Sequence, residues 1–211
     1  MFMNKLLLVE KIINKIESAY EDIHSDYRKM SGGDQRSWSG NLVEDTVREL
    51  LSEFCSEYYF EIFPSQLIKG ESDGLVLHNS GGFIKVKLDW HLYIKDRLAL
   101  VIECKSYLDS SFLNRAVNST SLIRRSVGYN VPSIVVALEK ALSDDALNFW
   151  LAEREVDDVF FLMDGARKSS EPIYKPEYRK DVNAGVLHAL VDKLYNIIRG
   201  NMESAGIERY L

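Results

Sequence analysis

The stretch KVKLDWHLYIKDRLALVIECKSYLD, residues 85–109, places Asp89, Glu103 and Lys105 among strand-forming apolar residues. Side chains alternate across a strand, so Val101, Glu103 and Lys105 share one face of the 100–105 segment, and Leu100, Ile102 and Cys104 share the other. A tight turn near Lys95–Arg97 would fold the segment into a hairpin and bring Asp89 level with Glu103. Converging carboxylates repel unless a proton or a cation lies between them. Two carboxylates with a backbone carbonyl form a hard oxygen set that suits Mg²⁺ and leaves room for water and phosphate oxygens. A cation held there polarises a phosphodiester and acidifies water. An adjacent lysine orients that water and offsets charge in the transition state. The chemistry this combination suits is metal-assisted phosphodiester hydrolysis.

The elements that must position these groups follow from periodicity. Leu6, Leu7, Ile12, Ile13, Ile16, Tyr20 and Ile23 predict a helix over residues 3–30. The Gly- and Ser-rich MSGGDQRSWSGN, 30–41, predicts a loop whose Ser39, Gly40 and Asn41 start the next helix. That helix carries Val43, Val47, Leu50, Leu51 and Phe54 on one face. GLVLHNSGGFIKVKLDW predicts a hairpin turning at HNSGG. Strands follow at 89–95, 98–105, 131–139 and 156–164. Between them lie helices over Ser110–Arg125, with Phe112, Leu113, Ala116 and Leu122 as core candidates, and over SDDALNFWLAERE, capped by Ser143. Residues 165–180 predict a basic and aromatic loop, and 181–200 a closing helix that Gly200 stops. An antiparallel meander joined to crossover units makes a mixed sheet with flanking helices.

Asp89, thirteen intervening residues, and then Glu103–Cys104–Lys105 match D-x(n)-(D/E)-x-K, with the first acid on one strand and the E-x-K ending the next. In this the chain resembles the PD-(D/E)XK nuclease superfamily. Leu88 stands where the family name places proline. The resemblance covers about residues 40–140. It implies an α/β fold of the restriction-endonuclease-like kind, a mixed β-sheet flanked by helices in an α-β-β-β-α-β core. Asp89 and Glu103 would bind Mg²⁺, one or two ions per site, and Lys105 would serve the attacking water. Glu44, on GNLVEDTVREL, matches the acid that many members carry on an upstream helix, with Asp45 a weaker match. A single nuclease domain over 1–211, with no helicase or zinc module, looks like a type II restriction endonuclease. That implies a homodimer acting on double-stranded DNA.

Each residue also admits a plainer reading. Asp89 can cap a strand or pair with Lys87. Glu103 and Lys105 can form a surface ion pair, although LALVI beside them reads as buried on both faces. Glu44 can be a solvated helix acid, and His91 a neutral structural histidine. For DNA contact the candidates are Arg115, Arg124 and Arg125 within NRAVNSTSLIRR, with Arg36 and Lys29; all are equally ordinary exposed helix residues. The 165–180 loop can track phosphates, form a dimer arm or lie on the surface. The closing helix, Val186–Ile198, can pack on a second copy. His24, His78 and His188 lack zinc-like spacing, and neither SGG run has a phosphate loop's Lys or strand–helix setting.

The totals set bounds. The chain has 211 residues, 46% hydrophobic and 27% charged, enough for a real core without staples. A formal charge of −6 argues mildly against indiscriminate nucleic-acid binding. Two cysteines, Cys55 and Cys104, make no disulfide framework, so a reducing, cytoplasmic setting is expected. The apolar run at the N-terminus is too short to span a bilayer and lacks a small-residue cleavage site, so no membrane partner is expected.

Overall fold

The computed structural model describes residues 5–57, 65–69, 75–79, 82–86, 88–95, 97–152, 156–168 and 170–206. Helices α1 (Lys5–Asp26) and α2 (Gly32–Glu57) lead into strands β1 (Ser65–Lys69), β2 (Leu75–Asn79), β3 (Gly82–Val86), β4 (Trp90–Ile94) and β5 (Arg97–Leu108). Then α3 (Ser110–Val127), β6 (Ser133–Lys140), α4 (Asp144–Ala152), β7 (Asp158–Phe161) and α5 (Ala184–Ser204) follow. The fold is mixed α/β. Its main sheet has the order β1-β4-β5-β6-β7, antiparallel from β1 through β5 and parallel from β5 to β7. Two parallel steps need crossovers, and α3 and α4 supply them. β2 and β3 form a separate antiparallel hairpin with Asn79 opposite Gly82, at the turn that HNSGG predicts.

The sequence of β5 explains its place at the centre. Residues 98–102 are all buried, as a strand covered on both faces requires. Leu100, Ile102 and Cys104 join Ile134, Val136 and Leu138 of β6 in a core shared with α1, α2 and α5. On the opposite face Val135 and Ala137 pack with Leu113, Ala116 and Val117 of α3, and Val101 packs with Ile123. Burying each Leu, Ile or Val among them contributes roughly 1.5–3 kcal/mol. β4 and β5 turn tightly between Ile94 and Arg97, where Lys95 takes the left-handed φ of 52° that two-residue hairpin turns favour.

Four expectations are corrected. The loop expected over 30–41 is helical from Gly32 onward. Ser31 and Asp34 start it reciprocally: the Ser31 Oγ accepts from the Asp34 N–H at 3.2 Å, and the Ser31 N–H donates to the Asp34 carboxylate at 3.3 Å. Glycine disfavours the helix by about 1 kcal/mol each. Burial of Ser39, Leu42 and Val43 against the core overrides that cost. Second, Gly200 does not stop α5; the helix runs on to Ser204 and buries Met202 completely. Third, Leu6, Leu7 and Leu122 are exposed, because the buried phase of α1 runs through Leu8, Val9, Ile12, Ile16, Tyr20 and Ile23, and that of α3 through Leu113, Ala116, Val117, Thr120 and Ile123. Fourth, the apolar face of α5 is spent within this chain: Leu187, Leu190, Val191, Leu194 and Ile198 pack in the core with α1 and α2.

Among the described residues no helix is long and apolar enough to cross a membrane.

Candidate active site

Trp90 stands opposite Ile102 in the β4–β5 register, which sets Asp89 level with Glu103. Alternation then gives Asp89, Glu103 and Lys105 one face, the face covered by α3. The Cys104 N–H donates to Asp89 Oδ2 at 2.6 Å. Lys105 Nζ lies 3.6 Å from that same oxygen, forms a close ion pair with Glu103 Oε1, and donates to the Cys104 carbonyl at 2.9 Å. The three groups gather as the hairpin geometry requires. Because β5 is a central strand, the reading of Glu103 and Lys105 as an edge-strand surface pair fails. Both side chains are largely buried, 12% and 19% exposed.

The electrostatics are unbalanced. Two carboxylates face one ammonium, in a place where desolvation penalises charge. Burial, reinforced by repulsion from Asp89, pushes Glu103 up to about 7; Lys105 offsets only part of this. Burial also works to depress Lys105, but the carboxylates of Glu103 and Asp89 outweigh it and hold the ammonium above its ordinary range. Glu103 Oε2 is buried with no hydrogen-bond partner. An acceptor without a donor, inside a cluster with one surplus negative charge, is where a hard cation fits. Asp89 and Glu103 are the groups that would hold it.

Glu44 approaches from the α2 side. Its helix lies on the other face of the sheet, where the Glu44 carbonyl accepts from Trp90 Nε1 at 3.2 Å and its charge acts on the Cys104 thiol. Among the described residues no three His, Cys, Asp or Glu side chains have the spacing of a metal site.

The expected DNA-contact arginines separate. Arg115 is exposed, and its guanidinium lies over the Phe112 ring, 5.3 Å from the centroid. Lys105 Nζ stands 6.0 Å from that same ring, so Arg115 belongs to the neighbourhood of the site. Arg124 does not: it donates to the Val131 carbonyl at 3.0 Å and to Asp157 at 2.6 Å, tying α3 to the start of β6 and β7. Arg125 is exposed in the last turn of α3. The Arg36 side chain and Lys87 lie outside the described residues. Lys29 pairs with Asp26 at 2.6 Å.

No protein-family model matches the chain. No curated protein sequence matches it significantly either. The site therefore rests on its own geometry.

The sequence reading misses one buried cluster. Glu139, at the end of β6, is fully buried in an ion pair with Arg167, and its Oε1 lies 3.3 Å from the Tyr20 hydroxyl that donates to it. Burial pushes the Tyr20 phenol up, which keeps its proton in place. Arg167 also donates to the carbonyls of Glu171 and Tyr178. Arg167, the first arginine of the 165–180 loop, thus faces inward and docks the segment on the body. His91 is buried with neither ring nitrogen partnered, and burial lowers it to about 4, so it is neutral. Tyr107 is missed as well, although alternation placed it on the Glu103–Lys105 face two residues on.

Proposed function

We propose that this chain is a Mg²⁺-dependent endonuclease of the PD-(D/E)XK type that hydrolyses phosphodiester bonds in double-stranded DNA. Within that type we propose a sequence-specific, type II restriction role. The observation that carries the reading is the buried trio: Asp89 and Glu103 across the β4–β5 hairpin, with Lys105 against both. The element order supports it. The run α2–β1–β4–β5–α3–β6, with β2–β3 inserted, follows the α-β-β-β-α-β order that the sequence resemblance implies.

Asp89 and Glu103 would hold Mg²⁺ through their carboxylate oxygens. When bound, the ion neutralises phosphate charge and lowers the pKa of water. Lys105 donates from a fixed position beside both acids. There it orients the attacking water and balances negative charge gathering on the phosphoryl oxygens. The Cys104 N–H locks the Asp89 carboxylate and so limits how far the site must reorganise. In-line attack on phosphorus, by resemblance to the family, leaves a 5′-phosphate and a 3′-hydroxyl. A homodimer would cut both strands. Since α5 is committed to its own core, a second copy would meet a different face.

Supercoiled plasmid incubated with the protein, with and without Mg²⁺, tests this. Discrete fragments that require Mg²⁺ and vanish with Asp89→Asn support site-specific hydrolysis. Nicking or smearing supports hydrolysis but replaces the restriction role with a repair or junction role on the same site. Intact plasmid at all Mg²⁺ concentrations overturns the proposal.

A further inference from the structure

Just past Lys105, β5 opens into a cleft of about 610 Å³, within the roughly 300–1,000 Å³ range of small-ligand pockets. It lies outside the carboxyl ends of β5 and β6, where open α/β sheets commonly bind ligands. Its lining includes Ser39, Ser106, Tyr107, Phe112, Lys168 and Tyr174. Tyr107 and Phe112 meet edge to face at 5.7 Å, and Tyr107 is 43% exposed. Phe112 joins this cleft to the candidate active site, since its ring has Lys105 Nζ at 6.0 Å and the Arg115 guanidinium at 5.3 Å. Two acids of the cleft are occupied: Asp109 accepts from the Ser111 and Phe112 N–H groups, and Glu171 from the Lys168 N–H.

An aromatic platform flanked by cations, beside a lysine placed to serve phosphoryl chemistry, has the makings of a stacking site for nucleic acid. The Ser106 hydroxyl adds hydrogen-bonding capacity at its wall. We infer that the cleft takes one unpaired nucleobase of the nucleotide next to the scissile phosphate, stacked on the exposed Tyr107 ring, which Phe112 braces edge to face, with Arg115 on the backbone. This inference rests on the phosphodiesterase reading of Asp89, Glu103 and Lys105. It adds that the strand at this point is single or has its base extruded from the duplex.

The test is fluorescence anisotropy in EDTA, where Mg²⁺-dependent cleavage does not interfere. The probes are a labelled 12-nucleotide DNA strand, its matched duplex, and the duplex with one unpaired nucleotide. The single strand and the bulged duplex should bind more tightly than the matched duplex. Tyr107→Ala should weaken those two by about tenfold, and Tyr107→Phe should restore binding, because stacking needs the ring and not the hydroxyl. Phe112→Leu, which keeps apolar bulk but removes the ring, should weaken them as well. Equal binding of all three probes, or wild-type affinity in both Tyr107→Ala and Phe112→Leu, overturns the inference. The readout separates it from the parent proposal. Ring-dependent binding with an uncut plasmid sinks hydrolysis and keeps the cleft; plasmid cleavage with ring-independent binding does the reverse.

Discussion

The backbone N–H of Cys104 donates to Asp89 Oδ2 at 2.6 Å, so the two acid-bearing strands are joined at the site itself. One carboxylate thus serves two purposes, accepting a β5 amide and facing Lys105. Substitutions at Asp89 can separate them. Asp89→Asn keeps an oxygen acceptor and should retain folding while abolishing cleavage. Asp89→Ala strands a buried amide and should cost about 1–3 kcal/mol of stability besides. Urea unfolding of both variants, alongside plasmid cleavage, checks this.

Glu103 should make the metal-free protein less stable as pH rises. Its ordinary value is 4.5, and in the fold it stands near 7. The native state therefore holds this proton more tightly than the unfolded chain does. The resulting stability is complete below about 4.5 and is lost as pH rises through 7. The Tm of wild type should fall from pH 5 to pH 8 more steeply than that of Glu103→Gln. Adding Mg²⁺ at pH 8 should recover stability in wild type and not in the variant. Parallel Tm curves would remove the basis for the buried surplus charge.

Arg115 and Arg124 should behave oppositely. Arg115→Ala should weaken DNA binding and reduce the magnitude of the salt slope of log K by about one. Arg124→Ala should leave that slope unchanged and lower stability instead, because it breaks the pair with Asp157 that ties α3 to the parallel strands. Binding isotherms over a salt series, with thermal melts, distinguish the two.

The Glu139–Arg167 pair should matter to folding rather than to chemistry. With Glu139 fully buried and Arg167 nearly so, removing one partner leaves an uncompensated charge, at a cost of roughly 3–5 kcal/mol. Arg167→Ala should therefore shift the urea midpoint far more than the exposed pair variant Lys29→Ala, which should leave it nearly unchanged.

These cases show what the sequence carries and what it does not. The convergence of Asp89, Glu103 and Lys105 was legible because strand alternation and a short turn are local geometry. The central position of β5 followed from LALVI, which only a doubly covered strand tolerates. The start of α2 was not legible: Gly32, Gly33 and Gly40 signal a loop, and only packing of Ser39 and Leu42 on distant elements reverses that. Gly200 misled in the same way, because burial of Met202 lies beyond local propensity. Arg124 and Arg167 looked like surface cations. Their acidic partners, Asp157 and Glu139, are 33 and 28 residues away in the chain, and no periodicity links them.

The most direct measurement is single-turnover cleavage of plasmid DNA by wild type and Lys105→Ala at saturating Mg²⁺, with DNA binding measured in parallel. If Lys105 serves the attacking water between Asp89 and Glu103, the variant should bind DNA about as well as wild type and fail to cut it. Wild-type turnover by Lys105→Ala would contradict the account.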